Sequence, residues 1–157
     1  MPVVTENQLE ALVAADRAAG RRVAFANGCF DILHVGHVRY LAGAAAEADR
    51  LVVALNGDAA TARLKGPGRP VLDAAARAEL VAALRGVDYV VIVPDLTMAR
   101  LLARIRPDVH CKGTDYTAGT VPERETVLAY GGRIAIVGDR KGHSTTETIG
   151  RIRSSRQ

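Results

Sequence analysis

The chain has 157 residues, a formal net charge of +4 and a pI of about 9.4. With 48% hydrophobic and 24% charged residues, its composition is typical of a globular protein and excludes extensive disorder. Aromatic residues amount to only 4%, so base-stacking surfaces for nucleic acid are poorly supported, whereas the positive charge suits a small anionic substrate. No apolar run approaches the roughly 20 residues that cross a membrane. The first residues also lack the order of a signal peptide, so we expect a cytoplasmic protein without nucleic-acid or membrane partners.

Helical and strand patterns alternate along the chain. In order, they predict a helix at 5–19, a strand at 23–26, a helix at 38–48, a strand at 51–55, helices at 58–64 and 73–84, a strand at 89–93, a helix at 96–105, a strand at 109–111, a helix at 122–130, a strand at 134–137 and a last helix from 144 toward 153. Small polar residues at helix starts are the expected N-caps, namely Thr5, Asp58, Asp73 and Ser144. The segment 65–70, Lys-Gly-Pro-Gly-Arg-Pro, is expected to form a loop.

Five apolar strands separated by helices predict an α/β fold. We expect a single Rossmann-like domain over 1–157, with a helix in 1–20 and a core over 21–153. Its five-stranded parallel sheet would carry helices on both faces. Ligands bind such folds at the carboxyl ends of the strands. The distinctive segments of this chain follow predicted strands, at 28–37, 56–58, 112–115 and 142–146, so we expect them to converge on one site.

The two histidines at the start of the second predicted helix are the first candidates for chemistry. His34 and His37 lie three residues apart, and Gly36 lies between them. A helix start offers free N–H groups and a positive dipole end, and both attract phosphate. The pair therefore predicts a site that handles phosphoryl groups. A zinc site is an alternative, but it needs further ligands, and ordinary polar residues at a helix start are another.

The cysteines indicate no redox or metal framework. Cys29 and Cys111 are far apart in sequence and form no CxxC pair. A disulfide framework and a structural zinc site are therefore not expected. Both cysteines are expected to be buried thiols near strand ends.

The motif residues carry a family resemblance. Gly28-Cys29-Phe30-Asp31 followed by His34-x-Gly36-His37 resembles the signature of the HxGH nucleotidyltransferase superfamily, especially its cytidylyltransferase-like branch. Over about 20–152 the chain is similar to the adenylyltransferase domain of ADP-heptose synthases. This likeness rests on Asn-Gly-Asp at 56–58, the segment 63–70, Arg77 with Leu80 and Leu84, Arg-Pro-Asp at 106–108, Lys-Gly-x-Asp-Tyr at 112–116 and Ser-Thr-Thr at 144–146. The segments 65–70 and 112–116 point to the heptose 1-phosphate subgroup. Because the chain carries no sugar kinase domain, it resembles the stand-alone D-glycero-β-D-manno-heptose 1-phosphate adenylyltransferases.

The resemblance implies a reaction and a set of roles. The substrate phosphate attacks the α-phosphorus of ATP and releases pyrophosphate, and charge neutralisation supplies most of the catalysis. The implied catalytic residues are His34, His37 and Lys65. The implied nucleotide-binding residues are Gly28, Cys29, Phe30, Asp31, Gly36, Lys112, Gly113, Asp115, Ser144, Thr145 and Thr146. The implied sugar-phosphate-binding residues are Asn56, Asp58, Arg69 and Arg77. Mg²⁺ is expected on the triphosphate, held mainly by phosphate oxygens rather than by protein ligands, and a homodimer is the family expectation.

Several alternatives stay open at this point. Lys65 could be a solvated loop lysine, the Ser144 segment could be only a helix cap, and Arg77 could have a packing role. The segment before the last helix departs from the family pattern, because His143 stands at an apolar position and the arginine is shifted, so that Arg140 or Lys141 would substitute for it. The same chemistry with CTP and glycerol 3-phosphate is one rival function. A regulatory nucleotide-binding module without catalysis is another.

Overall fold

A computed structural model describes residues 3–140 and 142–156. Within these ranges the elements are, in order, α1 (Glu6–Ala18), β1 (Val23–Gly28), α2 (Val35–Ala45), β2 (Arg50–Asn56), α3 (Asp58–Lys65), α4 (Ala74–Ala82), β3 (Tyr89–Val93), α5 (Ala99–Ile105), β4 (Val109–Lys112), α6 (Arg124–Ala129), β5 (Arg133–Ile136) and α7 (Thr145–Ser154). The predicted α/β fold is confirmed. None of the described helices is long and apolar enough to cross a membrane.

The five strands form one parallel sheet with the order β3-β2-β1-β4-β5. The chain reverses its direction of growth between β3 and β4, because β1 to β3 run toward one edge and β4 and β5 are added beside β1. Ligands of open α/β sheets bind outside the carboxyl ends of the strands at such a reversal. The ends of β1 and β4 therefore mark the expected position of the site.

Helices cover both faces of the sheet, as predicted. Successive residues of a strand point to opposite faces, so the sheet divides into two buried clusters. On one face, Ala24, Val53 and Cys111 pack with residues of α2 and α4. On the other face, Phe25 and Val52 pack with residues of α1, α5 and α6. The strands read as nearly continuous apolar runs because both of their faces are buried.

Three of the four predicted N-caps are confirmed. The side chains of Thr5, Asp73 and Ser144 accept hydrogen bonds from the backbone N–H groups of the first turns of α1, α4 and α7. The prediction for Asp58 is wrong. Gly57 is the N-cap of α3, and Asp58 is its first helical residue.

Candidate active site

The predicted segments converge on one cavity of about 740 Å³ at the carboxyl ends of the strands. Its wall includes all three predicted catalytic residues, His34, His37 and Lys65. It includes all of the predicted nucleotide-binding residues, which are Gly28, Cys29, Phe30, Asp31, Gly36, Lys112, Gly113, Asp115, Ser144, Thr145 and Thr146. Of the predicted sugar-phosphate-binding residues, Asn56 and Arg69 line it as well.

The histidines lie at the start of α2, which begins at Val35 rather than at the predicted Val38. His34 is the N-cap residue, in an extended conformation, and His37 is the third helical residue. Their rings stack with centroids 3.8 Å apart. The backbone N–H of His34 donates to Nδ1 of His37 over 3.4 Å. In neutral His37 the proton therefore lies on Nε2, which leaves this nitrogen as a donor.

The protein lowers the basicity of both rings. Burial, the neighbouring His34 and the charge of Lys65 lower the pKa of His37 to about 4. Burial and the neighbouring His143 also lower the pKa of His34. Near neutral pH both imidazoles are therefore neutral. A bound polyphosphate would favour the protonated form, because its negative charge opposes the effects that lower the pKa.

Glycine at position 36 leaves room for the His34 ring against the start of α2. A Cβ at Gly36 would lie 3.0 Å from Cε1 and 3.0 Å from Nδ1 of His34. Nδ1 of His34 is buried and has no hydrogen-bond partner within the described part of the chain. The Cε1 and Nδ1 atoms of His34 therefore pack against the backbone of the first turn of α2.

The segment between β1 and α2 is folded sharply under the histidines. Phe30 has a φ of +48°, and its ring meets the His37 ring edge to face at a centroid distance of 5.2 Å. A Cβ at Gly28 would lie 3.1 Å from the Phe30 ring, so glycine allows this turn. Thr145 Oγ1 at the start of α7 donates to the carbonyl of Ile32 over 3.2 Å. The first turns of α2 and α7 therefore meet at the same part of the cavity.

Asp31 fixes the loop that follows α3. Its carboxylate, which is 1% exposed, accepts from the backbone N–H groups of Val71 and Leu72 and from Arg69 Nε at 2.6 Å. Burial alone would raise the pKa of Asp31, but the hydrogen bonds from Leu72, Val71 and Arg69 together hold it below its ordinary value. Asp31 thus has a structural explanation for its position, and the loop it holds brings Arg69 to the cavity.

Two residues predicted to bind the sugar phosphate lie outside the cavity wall. Arg77 is 0% exposed, and its guanidinium donates to the carbonyls of Leu72, Cys29 and Asn56 and to the Asp58 carboxylate. Arg77 therefore joins the ends of β1 and β2 and cannot contact a substrate in this arrangement. Asp58 is half-exposed and is the partner of Arg77.

Lys65 lies at a different kind of position from the one predicted. It is the last residue of α3, and the loop begins at Gly66, whose φ of +93° ends the helix. Lys65 is exposed on the cavity wall and close enough to lower the pKa of His37. Of the two residues proposed to replace the shifted arginine, Arg140 lines the cavity and Lys141 lies outside the described residues.

The structure also brings residues to the cavity that the sequence did not single out. Asn27 Oδ1 accepts from Lys112 Nζ over 3.4 Å and lies 3.0 Å from His110 Nε2. Burial lowers the pKa of Lys112, and the charge of Glu123 opposes that shift. Glu123 follows β4 by eleven residues and carries no sequence signal. For Asn27, its position at the end of β1 was a signal that could have been used.

The prediction that both cysteines are buried thiols is confirmed. Cys29 and Cys111 are both buried free thiols. Burial raises the pKa of Cys111 to about 12, and the charge of Glu47 adds to this shift. Within the described ranges, His, Cys, Asp and Glu side chains form no group of three or more that could hold a metal ion.

The fold and the site together define the class of the protein, a parallel-sheet α/β protein with its cavity at the carboxyl ends of the strands. The cytidylyltransferase-like family model matches residues 25–156, so the chain belongs to the cytidylyltransferase-like family. This membership agrees with the resemblance carried by the His34 and His37 motif.

Relatives match nearly the whole chain. It is 48% identical over 155 residues to the bifunctional protein HldE of Bradyrhizobium sp. (strain ORS 278), covering 99% of this chain and 32% of the relative. It is 51% identical over 142 residues to the bifunctional protein HldE of Caulobacter sp. (strain K31), covering 90% of this chain and 29% of the relative. The chain thus spans about a third of the length of these relatives.

A solved structure shares the fold. The crystal structure of the lipopolysaccharide core biosynthesis protein from Thermoplasma volcanium GSS1 superposes with a TM-score of 0.65 at 28% sequence identity. The match covers 78% of this chain and 100% of that chain.

Proposed function

We propose that this chain transfers the adenylyl group of ATP to D-glycero-β-D-manno-heptose 1-phosphate, which yields ADP-D-glycero-β-D-manno-heptose and pyrophosphate. The observation that carries the proposal is the stacked His34 and His37 pair, which faces a cavity that also receives Lys65 and the first turn of α7. The choice of the heptose rests on the resemblance of the segments 65–70 and 112–116. The extensive identity to bifunctional HldE proteins supports it.

The chemistry requires no covalent enzyme intermediate. An oxygen of the sugar phosphate forms a bond to the α-phosphorus of ATP, and the bond from that phosphorus to the bridging oxygen of pyrophosphate breaks. The attacking oxygen is already anionic, so no proton must be removed from it. The barrier is then lowered by positioning the two substrates and by stabilising the charge that moves onto pyrophosphate.

His37 and His34 are the groups proposed to stabilise this transfer. Nε2–H of His37 is a donor for a phosphate oxygen, since Nδ1 already accepts from the backbone of His34. Because His37 is partly withdrawn from water, a hydrogen bond there is stronger than it would be in bulk water. Phosphate would also draw a proton onto the imidazoles and so convert neutral donors into cationic ones.

Further residues of the cavity wall are proposed to hold the two substrates. Ser144 caps α7, a ten-residue helix, and the backbone N–H groups of its first turn, at Thr145 and Thr146, would bind the triphosphate. Lys65 would reach the transferring group from the end of α3. Arg69, fixed by its ion pair with Asp31, would bind the sugar phosphate together with Asn56.

A divalent metal, Mg²⁺, is proposed to enter with the triphosphate. Asp31 is not proposed as its ligand, because this carboxylate already accepts from Val71, Leu72 and Arg69. The metal would withdraw charge from the phosphate oxygens when it is bound. We further propose that the chain forms one domain over 1–157 and acts as a cytoplasmic homodimer.

A pyrophosphate-release assay tests the proposal. The chain is incubated with Mg²⁺, each of ATP, CTP, GTP and UTP, and either heptose 1-phosphate or glycerol 3-phosphate. We expect turnover with ATP and the heptose 1-phosphate, and its loss when the metal is chelated. Turnover confined to CTP and glycerol 3-phosphate would establish the rival cytidylyltransferase. Nucleotide binding without turnover for any pair would instead indicate a regulatory module.

A further inference from the structure

The cavity has two ends that are built from different elements. The starts of α2 and α7 form one end, where His143 lies near His34 and Thr145 contacts the segment before α2. The end of β2 and the loop after β3 form the other end, where Asn56, Leu96 and Thr97 line the wall. Since the triphosphate is proposed to bind between the starts of α2 and α7, the second end is left for the sugar phosphate. We call it the acceptor end.

Glu123 belongs to this acceptor end, although it is distant in sequence from the residues around it. Its Oε1 accepts from the backbone N–H of Met98 over 3.2 Å. That bond joins the segment before α6 to the residue that precedes α5. Glu123 therefore lies beside Leu96 and Thr97 in the wall of the cavity.

The second carboxylate oxygen of Glu123 lacks a hydrogen-bond donor within the described residues. Glu123 is only 4% exposed, and its Oε2 is buried without a hydrogen-bond partner among residues 3–140 and 142–156. A buried carboxylate oxygen without a donor is costly, so native proteins rarely leave one. Leu96 and Pro122, which line the same cavity, have no side-chain donor to offer it. A hydroxyl donor bound at the acceptor end would complete the hydrogen bonding of Oε2.

We propose that Glu123 is a specificity residue whose Oε2 accepts a hydrogen bond from a hydroxyl group of the sugar phosphate. A sugar offers several O–H donors, whereas a phosphate oxygen would be repelled by a carboxylate. The fixed bond from Met98 to Oε1 holds the carboxylate in one orientation, which favours recognition of one particular hydroxyl. This inference rests on the proposed function, since it requires a sugar phosphate as the acceptor.

Lys112 offers a competing explanation for Glu123. The charge of Glu123 opposes the lowering of the pKa of Lys112, so the carboxylate could serve only as its counter-ion. Lys112 Nζ donates to Asn27 and lies 4.7 Å from the centroid of the Tyr116 ring. If this were the only role of Glu123, its loss would weaken nucleotide binding. The two explanations therefore predict effects on different substrates.

The test is steady-state kinetics of Glu123→Gln with both substrates varied. Glutamine keeps an oxygen that can accept from the Met98 N–H. At the position of Oε2 it places an NH2 group, which donates and cannot accept. We expect kcat/KM for heptose 1-phosphate to fall about tenfold or more, while KM for ATP stays unchanged. Glu125→Gln is the matched control, because Glu125 is an exposed carboxylate two residues further on and should leave both constants unchanged.

A panel of monodeoxy heptose 1-phosphates identifies the hydroxyl. With the wild type, we expect one analogue to lose about tenfold or more in kcat/KM. With Glu123→Ala the same analogue should lose little, because the carboxylate that the hydroxyl would contact is already absent. Equal losses in both proteins for every analogue would overturn the proposal, as would an increase confined to KM for ATP. Wild-type activity with ATP is measured first, so failure of the proposed function is recognised separately.

Discussion

His37 and His110 are both imidazoles withheld from water, yet they differ in what surrounds them. Burial is the largest cause that lowers the pKa of His37 to about 4 and that of His110 to about 3. His37 lines the cavity, and one of its nitrogens is left as a donor. His110 lies in β4 with no exposed surface, its Nε2 at Asn27 and its ring edge-on to Phe25 at 5.6 Å. A lowered pKa therefore does not distinguish the site residue His37 from the core residue His110. What distinguishes them is that His37 lines the cavity and His110 does not.

The largest effect that this comparison predicts is on catalysis. His37→Ala should lower kcat by about 10²–10³-fold, because it removes a donor to the charge that develops on the transferring group. Its thermal midpoint should change little, since the ring forms no strong hydrogen bond within the protein. Pyrophosphate release and thermal unfolding of the same preparation measure the two quantities. A large fall in the thermal midpoint with a proportionate loss of activity would make His37 structural instead.

His110→Ala should show the reverse pattern. Removing a buried ring from the sheet leaves a cavity beside Phe25, which typically costs about 2–4 kcal/mol of unfolding free energy. The kcat of the folded fraction should fall much less than in His37→Ala. Denaturant unfolding together with activity per folded molecule tests this expectation. Loss of kcat as large as that of His37→Ala, at unchanged stability, would place His110 in the reaction.

The same two rings predict how stability depends on pH. Their pKa values in the folded protein lie below the ordinary value of about 6.5 for an unfolded chain. Below about pH 6.5 the unfolded chain binds protons that the folded protein does not, so the free energy of unfolding falls as the pH decreases toward about 4. His110→Gln should make this fall less steep. A wild-type stability that is flat between pH 6.5 and 4 would contradict the burial of both rings as neutral groups.

The sequence predicted the strands well because their signal is local. Apolar runs identified all five strands to within about two residues, and the segments that follow them do meet at one cavity. The start of α2 was harder, since Val35 and Gly36 carry no helical periodicity and His34 is a rare N-cap. Likewise, α5 and α6 begin at Ala99 and Arg124, after loop residues that the apolar pattern included.

Long-range polar contacts were beyond the sequence. Arg77 was predicted to bind substrate, but it donates to the carbonyl of Cys29, 48 residues away, and is buried. The sequence of α4 does not indicate which backbone carbonyls will lie around Arg77 in the folded protein. Glu123 was missed for the same reason, because its relation to Met98 exists only after α5 and α6 have packed together.

The smallest expected effect concerns the geometry that makes His37 useful. Gly36→Ala places a Cβ 3.0 Å from two atoms of the His34 ring, so the ring must shift and its stack with His37 must loosen. Alanine also favours the helix by up to about 1 kcal/mol over glycine. We therefore expect kcat to fall severalfold while the thermal midpoint holds or rises. Gly150→Ala in α7 is the matched control, because a Cβ there meets nothing within 4 Å among the described residues, and it should raise stability without changing kcat. If Gly36→Ala left kcat intact, the close approach of His34 to the helix start would not be needed for the reaction, and His37 would act without its stacked neighbour.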